Sequence, residues 1–175
     1  MQPTYVQVWS EKSTVGGVLR PVLREYGVPF RVIHGFSSVS ALHEASEESA
    51  ADHRPWKILY CGDHDPSGMF ISEVDIQDGL ARYQGQATIH RVALTADDLP
   101  GLPPNKPNTG DQRWRWYCEH YGETCWELDA MDPGTLRTHV EEAIKGSIDW
   151  PAWRASQRVE RAELRKIQAL ARSLR

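Results

Sequence analysis

Hydrophobic positions in the first half of the chain alternate between short β-rich runs and amphipathic stretches. "TYVQVW" (Thr4–Trp9) has the composition of a strand, and "STVGGVLRPVLREYG" has helical periodicity closed by Gly27. Pro21 inside that stretch predicts a kink, or a first turn that starts late. "FRVIHG" predicts a second strand, and "SSVSALHEASEESA" a helix with Ser37 or Ser38 as its N-cap. "KILYCG" is a near-continuous apolar run of the kind buried on both faces of a parallel sheet. A helix starting at Asp65-Pro66 and running to about Arg82 follows, with proline in the favoured first position, and then a fourth strand, "QATIHRVAL". Strands alternating with helices predict a right-handed, doubly wound, mainly parallel sheet.

The pattern breaks at "ADDLPGLPPNKPNTGDQR", where four prolines and two glycines mark an irregular surface segment. Beyond it the sequence predicts a short aromatic helix ("RWRWYCEHYG"), an extra C-terminal strand ("CWELDAM") and a helix from Pro133 to Gly146. From about Pro151 a final helix carries Leu164, Ile167, Leu170, Ala171 and Leu174 on one face. The expected organisation is an α/β, Rossmann-like domain over residues 1–150 and a basic amphipathic helix over residues 151–175.

Charge separates those two parts. The whole chain carries −4, but the residues from Pro151 onward hold seven Lys or Arg against two Glu, net +5, leaving −9 for the rest. Arg154, Arg158, Arg161 and Arg165 recur at helical spacing opposite the apolar face, which makes them candidates for contact with nucleic acid. Packing on the domain or against a second copy of the chain explains the same helix equally well. No run of apolar residues is long enough to span a membrane, and the N-terminal residues do not resemble a signal peptide. Cys61, Cys118 and Cys125 form no CxxC pair, and no fourth ligand accompanies Cys118, His120 and Cys125 at zinc spacing. A reducing, cytoplasmic setting is expected.

The candidate chemistry lies where strands end. Glu11-Lys12 follows the first strand, and Asp63-His64-Asp65 follows the third. A 2-1-3-4 strand order would make those strands neighbours and bring Glu11, Asp63 and Asp65 together at the carboxyl edge, the place where doubly wound sheets bind ligands. Converging carboxylates call for a cation, and Mg²⁺ suits an all-oxygen set completed by water and substrate phosphate. Each residue also has a plainer role: Asp65 before Pro66 is a good helix cap, and Glu11 suits the first turn of a helix. Phosphatases built on D-x-D carry that motif after the first strand and continue with Thr or Val, whereas here Pro66-Ser67 follows it on the third.

With its glutamate at position 11 and "DHDPSG" at Asp63–Gly68, the chain resembles the Toprim domain shared by topoisomerases, bacterial primases and OLD-type nucleases. The likeness is to the Toprim region in the DNA-cleaving chain of topoisomerase VI and its meiotic double-strand-break relatives, where the motif reads D-x-D-P-x-G. "WELDAM" (Trp126–Met131) looks like a further segment of that subfamily, and the resemblance spans about Tyr5 to Ile148.

The resemblance implies that Asp63 and Asp65 coordinate Mg²⁺ or Mn²⁺ and that Glu11 is a metal ligand or a general acid/base at the scissile phosphate. It makes Lys12 and Arg91 candidates for backbone phosphate, alongside a surface role for Lys12 and an ion pair for Arg91. It implies cleavage or transesterification of nucleic acid, DNA in the first place, by a stand-alone nuclease or a topoisomerase-like subunit. The alternative is a non-catalytic module that binds nucleic acid or a partner. The subfamily's cleaving tyrosine sits on a winged-helix domain ahead of Toprim, and with the resemblance starting at about Tyr5 that domain is expected to be absent. Water, or a tyrosine from a partner chain, is then the expected nucleophile, and a homodimer is expected from the relatives' behaviour.

Overall fold

The computed structural model describes residues 2–33 and 38–173. His34 and Gly35 of the expected second strand, the cap position Ser37, and Leu174 of the final apolar face lie outside the described residues. Four parallel strands, β1 (Tyr5–Ser10), β2 (Phe30–Val32), β3 (Trp56–Cys61) and β4 (Ala87–Ala93), form one sheet in the order β2-β1-β3-β4. This is the order that makes β1 and β3 neighbours, in the parallel sheet that the β-α alternation predicts.

The central strands are buried on both faces, which is why β3 reads as a near-continuous apolar run. Val8, Leu59 and Cys61 face α1 (Ser13–Tyr26) and α6 (Pro133–Lys145), whose Leu19, Val22, Leu136, Val140 and Ile144 fill that layer. Trp9, Ile58 and Tyr60 face α2 (Ser38–Ala51) and α4 (Ile76–Arg82), through Leu42, Ala45, Ile76 and Leu80. Pro21 stays inside α1 on an exposed position, where water can take the carbonyl that loses its N–H partner, and Gly27 closes the helix at φ 62°.

The helix expected from Asp65 to Arg82 is divided. It begins as α3 (Pro66–Phe70), loosens into a π-helical turn over Ile71–Asp75, and resumes as α4. Against α3 packs α5 (Trp114–Tyr121), forming a small third core of Met69, Tyr117 and Cys125 edged by Trp114, Trp116 and Tyr121.

The extra C-terminal strand expected at "CWELDAM" is not a strand among the described residues. Cys125 and Trp126 each make one isolated antiparallel bridge, to Asn105 and His64, and the chain then turns through a 3-10 segment at Leu128–Ala130. The cause is a side chain: the Leu128 N–H, which a ladder would need, donates instead to Asp63 Oδ1 at 2.6 Å.

The last helix, α7 (Trp150–Ser173), is tied down at its first turn, where Trp153 meets Tyr26 and Asp149 exchanges hydrogen bonds with Gln2. From Arg154 to Arg172 it is exposed except for the half-buried Gln157 and Ala162. Val159, Ile167 and Leu170 are 58, 63 and 62 % exposed, so the apolar face is not packed on the sheet.

Candidate metal centre

β1 and β3 pair in register to their last residues, Ser10 opposite Cys61, so the residues just beyond them meet at one edge. Glu11 Oε1 accepts the Asp63 N–H at 3.3 Å across that edge. The Asp63 carboxylate ties three segments together. Its Oδ1 accepts from Leu128 N–H and takes the Lys12 ammonium at 2.9 Å, while Lys12 also reaches Asp129 Oδ2 at 3.0 Å. Asp65 caps α3 through the Gly68 N–H at 2.7 Å, the plain role that Asp-Pro predicts.

His64, between the two aspartates, faces away from them. Its N–H and C=O pair with Trp126 at 2.9 and 3.0 Å, and its Nδ1 lies 2.9 Å from Tyr117 Oη. Burial pushes its pKa down to about 4, so it is a neutral element of the α5 core. Gly68 is required here for space, because a Cβ would run into the Asp63 carbonyl, and a Cβ on Gly62 would stand 2.6 Å from the Tyr60 ring.

Arg91 takes a place that neither an ion pair nor a surface phosphate contact describes. It sits beneath the edge and gives its whole fork to the protein: Nε to Leu94 O at 2.7 Å, Nη1 to Gly68 O at 3.0 Å and Ser72 Oγ at 2.7 Å, Nη2 to Gly62 O at 2.8 Å and to Asp63 O. A β-bulge where Tyr60 and Cys61 face Arg91 and Ala93 accompanies this. The guanidinium therefore fixes the backbone that carries both aspartates and has no donor left for a phosphate.

Burial, with the charges of Asp63 and Asp65 adding to it, pushes the Glu11 carboxyl up to about 7. Asp65 is raised as well, burial first and Asp63 after it. Burial alone would lower Lys12, but its hydrogen bonds to Asp63 and Asp129 outweigh that and hold it above its ordinary value. Among the described residues no three His, Cys, Asp or Glu side chains form a ready-made metal cage. The donor set does fit the open kind of Mg²⁺ site, which uses one or two carboxylates and keeps its waters. Each carboxylate is a hard oxygen ligand with a second oxygen, Glu11 Oε2, Asp63 Oδ2 and Asp65 Oδ2, that accepts no hydrogen bond from described residues.

Beside these groups opens a cleft of about 1380 Å³. Glu11, Lys12 and Asp63 line it at the sheet edge, Asp75, Asp78 and Arg82 along the helix, and Asp111, Arg113 and Trp116 on the opposite wall. Asp111 and Arg113 form a two-point ion pair, 2.8 and 2.9 Å, whose charges are felt at Asp65.

Of the residues singled out in the sequence, Glu11, Lys12, Asp63 and Asp65 come together, and Arg91 lies under them. Arg154, Arg158, Arg161 and Arg165 stand apart on the exposed α7. Sequence reasoning missed Asp129, the Leu128 N–H, and the Asp111–Arg113 pair. The short-range Asp-x-Arg spacing was the one visible signal among these, since the others depend on contacts across more than sixty positions. No family model, no curated protein and no solved structure matches the chain.

Two measurements follow from this geometry. A carboxyl whose folded pKa is raised binds more protons folded than unfolded between about 4.5 and 7, so its contribution to stability is present at low pH and is lost as pH rises through about 7. In chelator, Tm of the wild type should fall across that window relative to Glu11→Gln, and parallel curves would remove the assigned burial. Separately, Arg91→Met should destabilise by at least about 2 kcal/mol in urea unfolding, because it orphans several carbonyls at once. Arg91→Lys should recover only part of that loss, since a single ammonium cannot reproduce the fork.

Proposed function

We propose that the chain carries out divalent-metal-dependent phosphodiester chemistry on nucleic acid, DNA in the first place, with Mg²⁺ or Mn²⁺ held by Asp63, Asp65 and Glu11. The observation that carries the proposal is the meeting of Glu11 and Asp63, fifty-two positions apart, at the carboxyl ends of adjacent parallel strands beside an open cleft. This is also the arrangement that the Toprim resemblance implies. A bound ion would supply positive charge to the phosphate oxygens. Glu11 is the ligand or proton-transfer group, half-buried and with Oε2 accepting no hydrogen bond from the described residues. Lys12 neutralises Asp63 here, and a cation taking over that charge would release its ammonium toward phosphate. Water as nucleophile makes the chain a nuclease, and a tyrosine on a partner chain makes it a topoisomerase-like subunit.

One observation favours a second reading, a non-catalytic Toprim-like module that binds nucleic acid or a partner. Asp63 Oδ1 already has two partners from the protein, the Lys12 ammonium and the Leu128 N–H.

Nicking assays on DNA and RNA with Mg²⁺ or Mn²⁺ separate the two. Asp63→Asn and Glu11→Gln keep side-chain size while removing charge, and each should lower the cleavage rate by about a hundredfold or more. Cleavage that survives both places the chemistry elsewhere, and metal-independent binding without cleavage, even with a tyrosine-bearing partner added, supports the module. The exposed arginines of α7 are assigned to phosphate contact. A protein lacking residues 154–175 should keep its Tm within about 2 °C, because little of that helix is buried. It should bind DNA more weakly and with a shallower salt dependence. Unchanged binding would assign the helix to assembly.

A further inference from the structure

The cleft beside the carboxylates has walls of a kind that metal chemistry alone does not require. Phe70 and Trp116 both line it and meet edge to face, ring centroids 5.0 Å apart at 85°. Both are half-buried. Trp116 is held from another side by His120, whose ring centroid lies 4.9 Å away and whose Nδ1 is 2.7 Å from the Trp116 carbonyl. Its indole is therefore a braced plate. Phe70 ends the short helix that Asp65 caps, so the aromatic wall and the acidic edge belong to one local unit. Tyr83 adds a third ring among the lining residues.

The charges of the cleft select which part of a nucleic acid enters. Asp75 and Asp78 share one wall with Arg82, Lys12 is held by Asp63 and Asp129, and the positive charge of Arg113 is matched by Asp111, so carboxylates outnumber cations in the lining. An acidic excess disfavours phosphate away from a metal, but carboxylates accept hydrogen bonds from the amino groups of bases, and aromatic faces stack on bases of any sequence. A duplex would do the opposite: it buries its base faces and presents its phosphates outward.

Resting on the nucleic-acid reading above, we infer that this cleft takes a single-stranded, unstacked stretch of nucleic acid, with Trp116 and Phe70 as the stacking wall that sets bases beside the carboxylate edge. The shared chemistry is an unpaired nucleobase carrying a phosphate, which a strand or a free nucleotide can supply.

The test is equilibrium binding by fluorescence anisotropy, with labelled oligonucleotides of about twelve nucleotides, in EDTA and again in Ca²⁺, with gels confirming intact probe. Single strands should bind at least about tenfold more tightly than the blunt duplex of the same sequence. Trp116→Leu should weaken single-strand binding about tenfold or more, and Trp116→Phe should stay within about threefold of wild type. Affinity that rises with strand length assigns the site to a strand, and competition by a mononucleotide as strong as by the oligomer assigns it to a free nucleotide. Because Trp116 packs in the small third core, photocrosslinking of 5-iodouracil strands to wild-type protein supplies a second readout, expected at Trp116, Phe70 or Tyr83. Duplex binding as tight as single-strand binding, or crosslinks confined to α7, overturns the inference. Trp116-dependent single-strand binding without cleavage under any metal removes the catalytic reading and leaves this one standing. Cleavage that is indifferent to strandedness and to Trp116 does the reverse.

Discussion

Where the Gly62–Asp63 backbone lies decides whether the acidic edge exists, and that backbone is held from below by the Arg91 guanidinium. Its three nitrogens reach the carbonyls of Gly62, Asp63, Gly68 and Leu94 and the Ser72 hydroxyl, joining the end of β3, the start of α3 and the end of β4. Carbonyls that close together repel one another and would need water if left unpaired. A planar cation with donors on several edges answers both problems, which an ammonium on a flexible stem does not. The cation sits under three acidic side chains yet makes no side-chain ion pair with them, so it shapes their loop while leaving their outer oxygens available.

Asp63 extends the same organisation outward. By drawing in the Leu128 N–H and the Lys12 ammonium, it links β3 to α1 and to the segment before α6. The bond to Leu128 is what ends pairing after Trp126 and sends the chain into a 3-10 turn. His64 closes the other side through Tyr117 and Trp126, fastening α5 to the same loop. The C-terminal third of the body is thus arranged around the site, and a substitution at Asp63 acts on structure as well as on charge.

The sheet was legible because its physics is local: apolar runs long enough to be buried on both faces, each separated by an amphipathic helix, permit few topologies. The start of α3 was legible for the same reason, since Asp65, Pro66 and Gly68 each satisfy a demand of the first turn. What escaped was set by distant partners. "CWELDAM" has strand composition, yet a carboxylate sixty-five positions away takes the N–H that would have extended it. Arg91 lies in a strand whose sequence says nothing of the carbonyls waiting at its end. The π turn at Ile71–Asp75 likewise has no sign in the spacing, which fits an uninterrupted helix.

On the function proposed above, the two open surfaces would divide the work of nucleic-acid recognition between them. Arginines at positions 154, 158, 161, 165 and 172 share one side of α7, exposed over most of its length and suited to phosphates because a charged row reads no sequence. The cleft, walled by rings and by more carboxylates than cations, would on that proposal take bases more readily than phosphate except where a cation intervenes. A polymer bound by both would have its backbone held along the helix while one unstacked stretch enters the cleft. Affinity and its salt dependence would then come from α7, and the choice of which phosphate reaches Asp63 from Trp116 and Phe70. Such a division would let an acidic body work on a polyanion: attraction would be carried by the appendage, and the site would need only to place.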